Sequence, residues 1–384
     1  MSDLPIGDAR ALTRALVRID SRNPSLSPGA PGEGAVARAL AEVLRAWGAR
    51  VDLIESSAGR PCVVARFGTP GGRSLMLNGH LDTVGVEGMV HAPWDATERD
   101  GQLYGRGSTD MKGGVAAMCA AAARSMAHGL TGEVVIAAVT DEEFESAGTR
   151  TLLARGVRAD AAIVTEPTRL AICPAHRGFA WIEVTVHGRA AHGSRYDLGI
   201  DAIRGAALVM SELDAFEEQE LTTRRHPLLG RASLHAATVE GGTGWSTYPD
   251  RCVLRIERRT LPDETPATPL QEVEDACARV RARRPAFRTS ARLVLAQAPS
   301  DVAVEAPIVQ ALCASLTASG EAVRVEGMSA WTDAALLNDA GVPAICFGPG
   351  DITLAHAAEE FVSLREVDRA TVVLEDLILR WCSP

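Results

Sequence analysis

The chain has 384 residues, of which 46% are hydrophobic and 23% are charged, as is typical of a globular protein large enough for two domains. Its formal net charge of −10 argues against nucleic acid or an anionic membrane as a partner, because both require a basic surface. The sequence shows no spanning apolar run and no signal-peptide pattern. The eight cysteines form no CxxC pair, so we expect reduced thiols and a cytoplasmic location.

The first part of the chain alternates between helical and strand patterns, which predicts an α/β fold. The predicted elements are, in order, helices over 6–19 and 32–47, strands over 51–54, 62–67 and 74–77, an irregular loop over 91–104, a helix over 112–128, a strand over 133–139, a helix over 146–154 and a strand over 161–164. The strand over 133–139 is continuously apolar, which is typical of a parallel sheet that is buried on both faces.

From about residue 177 the order becomes β-α-β-β-α-β, which is that of a ferredoxin-like unit. Its predicted elements are strands over 179–187, 233–240, 252–259 and 288–296 and helices over 200–220 and 269–283. Alternation of helices and strands then resumes with helices over 307–319, 332–339 and from 366 and strands over 322–325 and 344–347. We therefore predict a catalytic α/β domain with a mainly parallel central sheet over 1–176 and 293–384, interrupted by an inserted domain over 177–292.

Acidic and imidazole side chains follow several predicted strands at their carboxyl ends. His80 follows one strand, Glu142 and Glu143 follow a second, and Glu166 follows a third, while Asp110 stands in the glycine-rich loop GRGSTDMKGG. This loop lacks the Gly-Lys-Ser/Thr of a phosphate-binding loop. Carboxylates that converge on one sheet edge repel each other unless a cation neutralises them, so the pattern predicts a metal site.

A second imidazole, His356, is expected at the same edge, in the loop after the strand over 344–347. Nitrogen and oxygen ligands without thiolate suit zinc, with cobalt or manganese as substitutes. One shared carboxylate suits two ions roughly 3.5 Å apart that share an activated water. Asp82, two residues after His80, is expected to hold the far ring nitrogen of that histidine. Glu142 is then left over as a general base.

Several segments together resemble a known family in both their order and their spacing. The segments are GHLDTV, GRGSTDMKGG, TDEE, TEP, HRG, GRAAHGS, PD…RRTLP and FGPGD…AH. Over nearly its whole length the chain resembles the dinuclear zinc hydrolases that include acetylornithine deacetylase, succinyl-diaminopimelate desuccinylase, carboxypeptidase G and aminoacylase. The resemblance implies His80 and Glu166 on one zinc, Glu143 and His356 on the other, Asp110 bridging them, Asp82 orienting His80, and Glu142 as the base and later the proton donor to the leaving amine.

The resemblance also implies that the inserted domain is a lid and the interface of a homodimer. His192, in GRAAHGS, matches the residue that reaches the other subunit's site and stabilises the tetrahedral oxyanion. Arg259 matches the position that binds the substrate carboxylate, and Arg177 is a further candidate for that task. Family members usually carry a substrate-contacting Asn where this chain has Ser246, so we expect a different pocket.

The leading hypothesis is an amidohydrolase of the acetylornithine deacetylase type, which cleaves an N-acyl amino acid through a metal-bridging hydroxide with Glu142 as the base. A dipeptidase or carboxypeptidase of the same family is the alternative. A metal-binding relative without catalysis is a third hypothesis, although such a protein would not need Glu142. In each case we expect two Zn²⁺ ions, a small-molecule ligand and neither nucleic acid nor a membrane as partner.

Overall fold

The structure is a computed structural model that describes residues 3–383. The helices are α1 Ala9–Val17, α2 Gly34–Ala46, α3 Gly113–Ser125, α4 Ala147–Ala154, α5 Ala202–Gln219, α6 Thr268–Arg283, α7 Pro307–Ala318, α8 Ala334–Asp339 and α9 Leu364–Cys382. The strands are β1 Arg50–Ser57, β2 Arg60–Gly68, β3 Ser74–His80, β4 Thr97–Arg99, β5 Gln102–Tyr104, β6 Glu133–Val139, β7 Ala161–Val164, β8 Ile172–His176, β9 Gly178–His187, β10 Arg225–His226, β11 Gly230–Arg231, β12 Ser233–Gly241, β13 Arg251–Thr260, β14 Arg288–Gln297, β15 Ser300–Asp301, β16 Val325–Met328, β17 Ala344–Cys346 and β18 Phe361–Ser363.

The described chain forms two compact units. The first unit runs to Pro174 and includes Val302–Glu326 and the segment from Thr332 onward. The second unit comprises Ala175–Asp301 and Gly327–Trp331. Each unit has its own buried apolar core. The eight cysteines carry free thiols, and no helix within residues 3–383 is long and apolar enough to cross a membrane.

A sheet with the strand order β1-β2-β6-β3-β7-β17-β8 forms the centre of the first unit. The four middle strands, β6, β3, β7 and β17, run parallel to one another, and antiparallel strands flank them on both sides. All residues of β6 after Glu133 are buried, as the continuous apolar run predicts for a strand covered on both faces. The predicted α/β class with a mainly parallel central sheet is therefore confirmed.

The sheet of the second unit has the order β12-β13-β9-β14, and all of its neighbouring strands are antiparallel. With α5 and α6 between the strands, this is the predicted ferredoxin-like β-α-β-β-α-β arrangement. Residues along β9 alternate between buried and half-buried, so one face of the sheet builds the core of the unit. The role of this unit as a lid and dimer interface stays a prediction.

Two local predictions were wrong. The segment over 91–104 is not wholly irregular, because its end forms the hairpin of β4 and β5. Asp100 and Gly101, with φ of 53° and 74°, make the two-residue turn of that hairpin, and an Asp-Gly pair favours this conformation. The strand expected over 322–325 lies instead at Val325–Met328, and β8 was not predicted, since it is short and contains Pro174.

Candidate metal centre

Parallel strands of the first unit carry acidic residues and a histidine to one edge of the sheet. His80 is the last residue of β3, Glu142 and Glu143 follow β6, and Glu166 follows β7. The carboxyl ends of these strands meet at the same edge, because β6, β3 and β7 are parallel neighbours. Asp110 is buried in the loop that leads into α3. The parallel strands thus bring these side chains together at one edge of the sheet.

Two groups of three side chains each offer ligand atoms within 4.8 Å of one another. One group is His80, Asp110 and Glu166, and the other is Asp110, Glu143 and His356. Asp110 belongs to both groups, and its two oxygens face different histidines. Its Oδ1 lies 3.0 Å from Nε2 of His80, and its Oδ2 lies 3.4 Å from Nε2 of His356. This geometry suits a carboxylate placed between two cations.

The charged groups at the sheet edge change one another's pKa values. Burial acts to lower the pKa of His80, but the hydrogen bond with Asp110 and the negative charges of Asp110, Glu142 and Asp82 together raise that pKa well above its ordinary value. Hydrogen bonds to Asp110 and Glu143 raise the pKa of His356 to about 10. Burial, reinforced by the charge of Asp110, raises the pKa of Glu166 well above the usual range for a carboxyl group. Divalent cations in place of these protons would neutralise the acids, so the donor set fits a metal pair.

Glu142 lies beside these groups without belonging to either. Its carboxylate has no hydrogen-bond partner within residues 3–383, whereas its main-chain N–H donates to Oδ1 of Asp82 at 3.2 Å. Burial raises the pKa of Glu142 well above its ordinary value, and the negative charge of Glu166 adds to the rise. A carboxylate with a raised pKa and no fixed partner suits proton transfer.

Asp82 makes different contacts from those predicted. We expected its carboxylate to hold Nδ1 of His80, but that nitrogen donates to the main-chain oxygen of Asp82 at 2.9 Å, and the nearest carboxylate oxygen is 3.7 Å away. The two carboxylate oxygens instead accept the main-chain N–H groups of Glu142 and Glu143, each at 3.2 Å. His80 is thus oriented by the backbone of residue 82, while the carboxylate holds the segment after β6.

Two predicted substrate-side residues, His192 and Ser246, lie on adjoining exposed loops of the second unit. The main-chain N–H of Gly193 donates to the oxygen of Ser246 at 2.7 Å, which ties the loops together. Nδ1 of His192 lies 2.8 Å from the hydroxyl of Ser194. Trp245, at the tip of the second loop, is fully exposed. The imidazole of His192 is therefore accessible on the surface of its own unit.

The two predicted carboxylate-binding arginines are also in the second unit. Nε of Arg259 donates to Glu257 at 2.6 Å, and its guanidinium lies 5.3 Å from the ring centre of Phe179. Arg177 donates to the main-chain oxygen of Leu229. Burial, together with the nearby charge of Arg259, lowers the pKa of Arg177. Arg177 thus uses one nitrogen for the main chain, and Arg259 uses one nitrogen of its fork for Glu257.

The sequence reasoning missed the residues that hold the Asp110 loop. Glu360 is buried, and its Oε1 accepts the main-chain N–H groups of Thr109 and Asp110 at 3.1 and 3.3 Å. Its other oxygen pairs with Arg106 at 2.6 Å. The sequence does not predict this pair. Its two residues are 254 positions apart, and both Arg and Glu side chains are ordinarily exposed to solvent.

Comparison with known proteins identifies the class to which this fold and donor set belong. Residues 76–380 match the model of peptidase family M20/M25/M40, and the chain belongs to this family. It is 32% identical to acetylornithine deacetylase of Myxococcus xanthus over 327 residues, which cover 83% of each chain. It is 30% identical over 377 residues to N-formyl-4-amino-5-aminomethyl-2-methylpyrimidine deformylase of Bacillus subtilis, covering 90% of this chain and 88% of the relative. The chain is therefore a hydrolase of amide carbon–nitrogen bonds, and the family resemblance is confirmed.

Solved structures share the same fold. A tripeptidase from Staphylococcus aureus superposes with a TM-score of 0.82 at 18% identity and covers 99% of both chains. The YXEP protein of Bacillus subtilis, described as a dinuclear metal-binding peptidase of the M20 family, superposes with a TM-score of 0.74 at 15% identity and covers 97% of both. At these identities the likeness shows the fold alone.

Proposed function

We propose that this protein is a metal-dependent hydrolase of N-acyl amino acids, of the acetylornithine deacetylase type. The observation that carries the proposal is the pair of donor groups that share Asp110, with the carboxyl group of Glu142 beside them. The relatives named above are an acetyl-removing and a formyl-removing enzyme, so their shared chemistry is the cleavage of an N-acyl amide.

The metal ligands that we propose are His80 and Glu166 for one ion, Glu143 and His356 for the other, and Asp110 between them. Zinc fits a set of imidazoles and carboxylates without thiolate, and cobalt or manganese are expected substitutes. When bound, the two ions would supply Lewis acidity and a water of lowered pKa. The histidines must be free of protons on Nε2 to act as ligands, and the bond from Nδ1 of His80 to the main chain favours that tautomer.

Glu142 accepts the proton of the attacking water in this proposal and later delivers it to the leaving amine nitrogen. Its raised pKa suits both steps, because a carboxyl group that holds a proton more firmly than usual can take one up and later release it. Asp82 serves by holding the main chain of Glu142 and Glu143. The reaction consumes one water and yields a carboxylate and an amine.

We further propose that the second unit supplies substrate contacts and the interface of a homodimer. Arg259 is suited to a substrate carboxylate, since Glu257 fixes its Nε and leaves the outer nitrogens of the fork for bidentate binding. His192 is exposed in its own unit, which agrees with a role in the site of a second subunit. Ser246 is a proposed substrate contact, and Arg177 is a secondary one.

A screen of substrates tests the function. The enzyme loaded with Zn²⁺, Co²⁺ or Mn²⁺ should hydrolyse one or more N-acetyl, N-formyl or N-succinyl amino acids faster than dipeptides with a free amino group. Preference for dipeptides would favour the peptidase alternative, which the tripeptidase fold neighbour makes reasonable. Two bound ions without hydrolysis of any of these substrates would favour a binding protein.

A further inference from the structure

The segment that carries Glu142 and Glu143 is held by buried carboxylates that are not among the proposed metal ligands. The main-chain N–H of Asp141 donates to Oε1 of Glu33 at 3.0 Å, and the next two N–H groups donate to Asp82 at 3.2 Å each. Glu33 and Asp82 are both fully buried. Three consecutive amides after β6 therefore each have a buried carboxylate acceptor.

Two further side chains hold those carboxylates in turn. Nδ2 of Asn23 donates to Oδ2 of Asp82 at 2.9 Å and to Oδ1 of Asp141 at 3.0 Å. Arg60 makes two parallel bonds to Glu33, from Nε at 2.7 Å and from Nη2 at 2.6 Å, and Nη2 also lies 3.0 Å from Oδ1 of Asp141. A bidentate Arg–carboxylate pair fixes orientation as well as distance. We call Asn23, Glu33 and Arg60 the supporting cluster.

The conformation of Asp141 shows why such support is needed. Its φ is 68°, in the left-handed region that residues other than glycine seldom adopt. In this conformation the main-chain oxygen of Asp141 accepts hydrogen bonds from the N–H groups of Glu145 and Ser146 at 3.2 and 2.6 Å. Because the conformation is locally unfavourable by about 1 kcal/mol, contacts from outside the segment must hold it.

We propose that Asn23, Glu33 and Arg60 are positioning residues, which act on the reaction through the main chain of residues 141–143. They hold the turn so that Glu142 and Glu143 project in different directions, one towards the reacting groups and the other towards His356. The catalytic part of this inference rests on the proposed role of Glu142. The structural part, that the cluster holds the segment, does not depend on that role.

Hydrogen exchange tests the structural part without any substrate or metal. Arg60→Lys keeps the positive charge but removes the two parallel bonds to Glu33. We expect the peptide covering 140–146 to exchange about tenfold faster in this variant, since Glu33, which accepts the N–H of Asp141, is no longer held by two parallel bonds. The matched control is Arg66→Lys, on the same strand, whose side chain pairs with Glu133 at the other end of β6. Exchange at 140–146 that is unchanged, or raised equally by the control, would overturn the proposal.

A double-mutant comparison tests the catalytic part. At saturating metal, Arg60→Lys should lower kcat by about 10- to 100-fold and change KM by less than about twofold. In a Glu142→Ala background, Arg60→Lys should change the residual rate by less than about twofold, because the positioned group is already absent. Equal losses in both backgrounds would show a general structural effect and overturn the positioning role. Wild-type activity in Glu142→Ala would overturn the proposed base and this catalytic part, and the exchange result would still stand on its own.

Asn23→Ala is a second test variant, and it leaves the charge of the protein unchanged. It removes the donor that Asp82 and Asp141 share, so we expect the same faster exchange at 140–146. Because Glu143 lies on this segment, the variant should also bind Co²⁺ about tenfold more weakly in a titration followed by absorbance. Wild-type exchange together with wild-type Co²⁺ affinity would contradict the proposal.

Discussion

Each unit buries a cluster of charged groups, and the two clusters differ in how their charges are balanced. In the second unit the guanidinium of Arg258 is fully buried, but Glu264 and Glu272 both pair with it, and Arg224 pairs with the same two acids. The acids there meet arginines from their own unit. Burial acts to raise the pKa of Glu264, but the hydrogen bond and charge of Arg258, with the bonds from Leu261 and Arg224, hold it below its ordinary value.

At the sheet edge of the first unit, carboxylates meet imidazoles and one another, and the pKa of Glu142 rises well above its ordinary value because of burial and the charge of Glu166. A buried cluster that balances its own charge can be purely structural. A cluster that gathers acids without an equal number of fixed cations has to be neutralised by protons or by bound cations. The difference between the units is thus what singles out the first as the site of metal chemistry.

The largest expected effect is the loss of turnover on removal of Glu142. Glu142→Ala should lower kcat by about 10³-fold, because general base catalysis contributes on this scale. Elemental analysis should still find two metal ions per chain, since Glu142 is not a proposed ligand. The control is Glu145→Ala, three residues further on and exposed, which should keep wild-type kinetics. An active Glu142→Ala enzyme would contradict the assignment of the base.

The same chemical change should have opposite effects on the stability of the two units. Glu272→Gln leaves Arg258 incompletely paired and should lower the free energy of unfolding by about 3 kcal/mol. Glu166→Gln, in metal-free protein at pH 8, should raise the free energy of unfolding. A carboxyl whose folded pKa lies above its unfolded value lowers stability once the pH exceeds the unfolded value, and Gln removes that charge. Urea unfolding with chelator measures both, and destabilisation by both variants would contradict the comparison.

Metal affinity should fall as the pH is lowered from 8 to 6. In the metal-free protein the pKa of His356 is about 10, so its imidazole holds a proton throughout this range and metal must displace it. Affinity for Co²⁺ should therefore fall by up to about tenfold per pH unit for each proton released. Calorimetry in buffers of different ionisation enthalpy counts those protons. His128→Ala, which removes a surface histidine near Glu375, should leave the slope unchanged. An affinity that does not vary with pH would contradict the proposed ligands.

The smallest expected effect concerns substrate binding by the second unit. Arg259→Lys should raise KM by about tenfold with kcat nearly unchanged, because an ammonium cannot present two parallel N–H groups to a carboxylate. Arg255→Lys is the matched control, since Arg255 lies four residues earlier on β13 but pairs with Glu183 and Glu240 within the unit. Similar KM values for the two variants would argue against Arg259 as a substrate contact.

Much of the fold follows from local pattern. The apolar run of β6 predicts a strand buried on both faces, and the change of pattern near residue 177 predicts the ferredoxin-like unit. The hairpin of β4 and β5 was missed although its Asp-Gly turn is a local signal. The strand β8 has no clear signal, because it is held by neighbours far away in sequence.

The order of the residues alone determined which chemistry is available, because acids and histidines that follow parallel strands must meet at one sheet edge. Only the tertiary structure decided which atoms face each other. That Asp110 turns one oxygen to His80 and the other to His356 depends on residues that are 30 and 246 positions away from it in the chain. The same is true of Asp82, whose carboxylate binds the amides of residues about 60 positions away rather than the histidine beside it. Such contacts are set to within an ångström by packing, whereas a local pattern specifies only the side of a strand on which a residue lies.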